Sequence, residues 1–199
     1  MKKLAIAIAA VAICTQTAMA EDFDNTSLSI AATGSQGGVE LSTNETSRSL
    51  KLSSATTNFP VQWSLKFTDN TNGNDDWELG VNRKFEMPRG EGETLSIYAD
   101  PKLAYSFGDS YTNNELSLTP TLGVSTQVGS ASPYAELGFG LKATDADYFD
   151  WSRSGTSLNL GVVVPVNANM DIDVGVTRSM DSDFGNASHQ AGVKFVLKY

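Results

Sequence analysis

The chain has 199 residues, 40% of them hydrophobic and 19% charged, a single-domain length that is too apolar for a disordered chain and too aperiodic for collagen or a coiled coil. A formal charge of −9 with a pI near 4.5 argues against a general nucleic-acid binder, because phosphate backbones need a basic footprint. One histidine and one cysteine leave little room for metal-cluster or thiol chemistry.

Residues 1–20 read as a cleaved secretory signal, leaving 21–199 as one domain. Lys2 and Lys3 form the positive end, Leu4 to Ile13 the apolar stretch, and Ala18-Met19-Ala20 the small-x-small cleavage site. The apolar run is too short to span a bilayer as an anchor. Ile13 stands before Cys14, where a lipoprotein signal would carry a small residue. Cleavage removes Cys14 and two lysines, leaving 12 basic against 23 acidic residues, a formal charge of −11. Without cysteine, stability has to come from packing and backbone pairing.

The rest of the chain alternates. Leu28, Ile30 and Ala32 suggest a first strand, and Leu50 and Leu52 about Lys51 a second, with 34–47 weakly patterned between them. Val61, Trp63, Leu65 and Phe67 then alternate with Gln62, Ser64 and Lys66. The same period of two continues through Leu79 and Val81, Leu95 to Phe107, Leu116 to Val124, Leu137 to Leu141, Leu158 to Val164, and Ile172 to Val176. Each is a strand with one apolar and one polar face. Predicted spans are 60–68, 76–87, 94–107, 115–128, 133–143, 156–166, 169–180 and 188–199. Short turns at Pro88-Arg89-Gly90, Gly129 to Pro133 and Asn167 to Asn169 alternate with longer acidic connections at Asp69–Asp75, Gly108–Asn114, Thr144–Gly155 and Asp181–Ser188. That order predicts an all-β fold, an antiparallel up-and-down transmembrane β-barrel of about 10 strands, with 8 or 12 as alternatives and both termini at the short-turn end.

The last strand presents Val193, Phe195, Leu197 and a terminal Tyr199 on one face. This ending resembles the C-terminal assembly signal of Gram-negative outer-membrane β-barrel proteins. The resemblance implies export through the periplasm, insertion by the barrel-assembly machinery, and outer-membrane lipids and lipopolysaccharide as surroundings.

Parity assigns the remaining side chains to wall or lumen. Lys51, Lys66, Lys84, Lys102, Lys142, Lys194 and Lys198 point inward with Glu78, Glu86, Asp100, Glu136, Asp171 and Asp173, seven bases against six acids. Lys66, Lys84, Lys102, Lys142, Glu78, Glu136 and Asp171 are the candidate lumen-lining residues. Such a lumen either packs as a plug of partnered charges or lines a narrow watery path. Pro101 and Pro120 fall at apolar-facing positions of adjacent strands, where a missing N–H predicts a bulge or break that could turn Asp100 and Lys102 inward. Arg83 is a costly charge on the apolar face, whereas Arg178, near the outer strand end, suits a lipopolysaccharide phosphate.

Catalysis is not expected: His189 has Asp181, Asp183 and Ser188 near in sequence, but it falls on the apolar side and no His-x-Ser pair is present. Asp69 to Asp76 is rich in oxygen ligands yet lacks EF-hand order, so it reads as an acidic loop. Tyr148, Phe149 and Trp151 form either an adhesive loop tip or an interfacial anchor. No metal and no cofactor is expected. Glu45 to Lys51 leading through Asn58 to the Trp63 strand, Glu78-Leu79-Gly80-Val81-Asn82, and Pro133-Tyr134-Ala135-Glu136-Leu137 are similar to the oligogalacturonate-specific porin family. That family is larger, twelve-stranded and carries inward arginine tracks, which are missing here. The functional expectation is a narrow, passive, porin-like channel for small solutes. The alternative is a plugged structural barrel whose acidic loops serve adhesion or ligand binding.

Overall fold

The computed structural model describes residues 25–34, 37–55, 61–87, 94–145 and 147–199. The expected signal segment 1–20 and the Pro88-Arg89-Gly90 turn lie outside the described residues.

The described residues form a closed mixed β-barrel of 11 strands. They are β1 (Asn25–Gly34), β2 (Gly37–Asn44), β3 (Ser47–Ala55), β4 (Gln62–Asn70) and β5 (Asp75–Asn82, resumed at Phe85–Glu86). Then come β6 (Ser96–Ala99 with Lys102–Gly108), β7 (Glu115–Thr119 with Thr121–Ser125), β8 (Ser132–Thr144), β9 (Asp147–Asn167), β10 (Met170–Met180) and β11 (Ala187–Lys198). Each strand pairs antiparallel with its sequence neighbour, and β1 closes the ring against β11 in parallel register, Asn25 opposite Gln190 and Thr33 opposite Lys198.

The expected count of about ten is close to the observed 11, and the purely antiparallel order is corrected. The additional strand is β2, inside the stretch that patterned weakly. Gly37-Gly38 precede Val39, Glu40 and Leu41, and the alternation is too short to stand out alone. Its backbone is paired on both sides, with β1 and with β3. An odd number of up-and-down strands leaves the first and last running the same way, so closure must be parallel. Asn25 consequently lies at the loop end of the barrel and Tyr199 at the short-turn end, where both termini had been expected.

Loop lengths also differ from expectation. Asp69 and Asp75 pair with one another inside β4 and β5, which shrinks that connection to 71–74. The expected Thr144–Gly155 loop is mostly strand: Thr144 faces Asp147 across a tight turn, and β9 runs 21 residues. Trp151 thus belongs to a strand extension and not to a loop tip. The prolines act as expected of them. β6 breaks at Asp100-Pro101 and β7 at Pro120, while the Asp100 and Thr121 backbones exchange hydrogen bonds across the break at 2.8 and 3.3 Å.

The pleat puts the large apolar side chains outside. Ile30 is 51% and Leu41 56% exposed, with Leu79, Leu103, Leu122 and Leu160 alongside them. Inside, the buried positions are small or polar, among them Ala31, Ser64, Ala104 and Ser106. Among the described residues, buried apolar side chains cluster at Ala131, Val162 and Val164, near the short-turn end. This is an inside-out distribution, the form taken by a barrel immersed in hydrocarbon.

Two loop-end knots hold the strand ends. Asp76 accepts from the Asn70 amide at 2.8 Å and the Ser110 backbone N–H at 3.0 Å, so that part of the oxygen-rich 69–76 string is occupied by the protein's own donors. Among the described residues no group of His, Cys, Asp and Glu has a metal-binding arrangement. In the 181–186 loop, Asp181 accepts from the Asn186 side chain at 2.7 Å and from the backbone N–H groups of Asp183, Gly185 and Asn186. This holds Phe184 at a φ of 59° while its ring packs 3.9 Å beneath the Arg153 guanidinium. The Asn186 amide and the backbone donors keep the Asp181 carboxyl below the usual carboxylate range. A depressed carboxylate pKa stabilises the loop above the ordinary value near about 3.9 and loses that effect as pH falls through the folded value. The protection of the Gly185 and Asn186 amides, relative to their intrinsic exchange at each pH, is therefore expected to hold at neutral pH and to be lost only below that range. In Asp181→Asn that protection should be reduced at neutral pH and should no longer change through the acid range; an unchanged profile would contradict the knot.

Candidate functional site: a polar lumen wall

Residues paired across neighbouring strands share a face, so the register traces the inner wall directly. Ala31, Glu40, Lys51, Lys66 and Glu78 are successive cross-strand partners from β1 to β5. In this row Lys66 faces Lys51 on one side and Glu78 on the other.

Long inward side chains lean over small residues of the next strand to reach a carboxylate. Lys102 donates to Glu78 Oε1 at 2.6 Å, its chain passing close over Gly80. Lys194 crosses β1 to Glu40 at 2.7 Å, a reach that small residues such as Ala31 leave open. Lys142 pairs with Glu115 at 3.0 Å toward the loop end, and Lys198 with Asp171 at 2.5 Å at the short-turn end. Lys84 sits at the short-turn rim, 2.9 Å from Glu86 and 4.0 Å over the Tyr98 ring.

Two tyrosines use the same device on the other side of the barrel. Tyr98 lies flat over its partner Gly123 and donates to Glu136 Oε1 on β8 at 2.7 Å. Asn159 donates to the other Glu136 oxygen at 2.9 Å. Tyr134 lies over Gly161 and donates to Asp173 on β10 at 3.0 Å. A glycine is required beneath each ring: a Cβ at Gly123 would stand 2.2 Å from Tyr98 Cζ, and one at Gly161 2.4 Å from the Tyr134 oxygen.

Each of these contacts joins strands that are neighbours or one strand removed, so the network runs along the wall and not across the bore. Two cavities open from it. One of about 210 Å³ is lined by Glu40, Lys51, Ser53, Gln62, Asn82 and Lys194. The other, of about 130 Å³, is lined by Tyr134, Asn159, Asp173, Thr177, Gln190 and Lys194.

Of the sequence-predicted lumen residues, Lys66, Lys102 and Glu78 come together in the central row. Glu136 lies on another part of the wall. Lys84, Lys142 and Asp171 stand toward the ends with separate partners. Asp100 also faces inward, accepting from the Asn82 amide at 3.0 Å. The sequence reading missed Glu40, Glu115, Tyr98, Tyr134 and Asn159. Adding Glu40 and Glu115 turns seven bases against six acids into seven against eight. Glu115 was detectable, since it precedes the alternating Leu116 and Leu118; Glu40 sat in the weakly patterned stretch. On the outer face, Arg83 packs 4.6 Å over Phe85 near the short-turn end, and Arg178 is the register partner of His189 toward the loop end.

No protein-family model matches the chain, and no curated protein matches it significantly. A solved structure described as a bacterial polysaccharide outer membrane secretin is similar over 80% of this chain, with a TM-score of 0.50 and 13% identity. The match covers 63% of that structure's own chain, and at this identity the likeness concerns the β-barrel fold alone.

Proposed function

We propose that the chain is an outer-membrane β-barrel whose bore passes small solutes passively. The supporting observation is that three of the inward ion pairs stay wet: side-chain exposure is 37% for Lys102, 27% for Glu78, 42% for Lys142 and 34% for Lys194. A dry plug would bury such pairs. Eleven strands tilted by about 40° put the backbone about 11 Å from the axis, and inward lysines and tyrosines narrow that to a small-solute passage. In this reading residues 1–20 are removed on export, the outward leucines face lipid, and Arg178 meets lipopolysaccharide phosphate. The reading assigns no catalytic role, no metal and no cofactor.

The test is single-channel recording of residues 21–199 in a planar bilayer, where steady ohmic openings are expected. Ser53→Cys, lining the larger cavity, should lose at least about half its conductance on modification by a charged thiol reagent, because a tethered group narrows a small bore. Leu52→Cys, on the outer face, should lose none. A silent barrel that still migrates as a heat-modifiable folded species would overturn the channel. The second reading, a structural barrel with loops used for adhesion or ligand binding, would then stand.

A further inference from the structure

The lumen charges are not mixed evenly around the ring. Lys51, Lys66, Lys102 and Lys194 share their part of the wall with the carboxylates Glu40, Glu78 and Asp100, four bases against three acids. Lys102 and Lys194 are the ones in ion pairs, with Glu78 and Glu40, so the excess positive charge is carried by Lys51 and Lys66, facing one another from β3 and β4.

The opposite arrangement holds on β8 to β10, where Glu136 and Asp173 lie four to five strands from Lys51 and Lys66 in a ring of 11. Glu136 and Asp173 are held there by neutral donors: Tyr98, Asn159 and Tyr134. Neutral donors satisfy the oxygens without cancelling the charge. Lys194, the cross-strand partner of Asp173 and ion-paired to Glu40, stands between the two walls and lines both cavities.

We infer that the bore carries a transverse electric field between the Lys51/Lys66 wall and the Glu136/Asp173 wall, and favours small zwitterions over neutral solutes of equal size. The inference rests on the channel reading and names its substrate class. A dipolar solute can turn its carboxylate to the lysines and its ammonium to the acids, gaining at both ends. A simple ion is attracted by one wall and repelled by the other, so the pore as a whole discriminates weakly between cation and anion. The width of the bore is comparable to the Debye length of about 8–10 Å, so salt does not erase the field across it.

Swelling of vesicles containing the refolded barrel tests this with three solutes of nearly one shape: alanine, lactamide and lactate. Alanine is expected to enter at least about threefold faster than lactamide, the scale of a modest field acting on both ends of a dipole. Lys51→Ala/Lys66→Ala should bring that ratio toward one and shift bilayer reversal potentials toward cations; it removes a like-charge pair and so should not impair folding. Glu136→Gln/Asp173→Asn should shift them toward anions. Lactamide entry without an alanine preference, or reversal potentials that ignore both pairs, would overturn the inference and leave the channel standing. Entry of no solute at all would overturn both.

Discussion

Replacing Gly123 with valine is expected to destabilise the barrel by about 2–4 kcal/mol, even though valine is the better strand residue by up to about 1 kcal/mol. The clash decides the sign. The new Cβ would stand 2.2 Å from Cζ of Tyr98, which is only 6% exposed and is tied to Glu136 through its hydroxyl. Expelling the ring also breaks its hydrogen bond to Glu136, a charged acceptor left short of one donor in the wall. The loss should vanish in a Tyr98→Ala background, where the space over position 123 is vacant and the valine's strand preference acts alone. A double-mutant cycle in urea-titrated vesicle folding should return a coupling of at least about 2 kcal/mol. Additive effects would show that the ring does not rest on the glycine.

Leu160→Arg is expected to cost a similar amount, about 2–4 kcal/mol, for a different reason. Leu160 is 44% exposed on the outer face, between Ala135 and Val176, midway along the paired part of β9. Guanidinium in hydrocarbon loses its hydration and finds no partner at that depth. Gln190→Arg, beside the lumen cavity, should cost less than about 1 kcal/mol, since the new charge stays in water. The comparison, made in phosphatidylcholine vesicles, separates a lipid-facing wall from an ordinary exposed strand. Equal costs at the two positions would contradict the membrane reading.

The two predictions draw on different layers of information. That Leu160 points out and Glu136 in was legible from the chain, because the period of two is a property of each strand's own backbone and needs no neighbour to define it. The same local rule placed Lys66, Lys102 and Glu78 on the polar face, and the missing N–H of Pro101 and Pro120 located the breaks in β6 and β7. Composition and the terminal aromatic strand pointed to a barrel before any pairing was known.

Which side chains meet inside was not legible, because contact depends on register between strands, and register is fixed only when the sheet closes. Tyr98 finds Glu136 because Gly123 happens to be its partner; Lys194 finds Glu40 because small residues separate them across β1. The strand count followed the same logic. Val39 and Leu41 give too little alternation to declare a strand, yet β1 and β3 each leave backbone donors and acceptors that only a strand between them can satisfy. Once β2 exists the number is odd, and closing the ring forces the parallel seam between β1 and β11. The sequence by itself determined the two faces of each clearly alternating strand; the tertiary structure alone decided how many strands share the ring, which way the seam runs, and which charges stand together or apart across the bore.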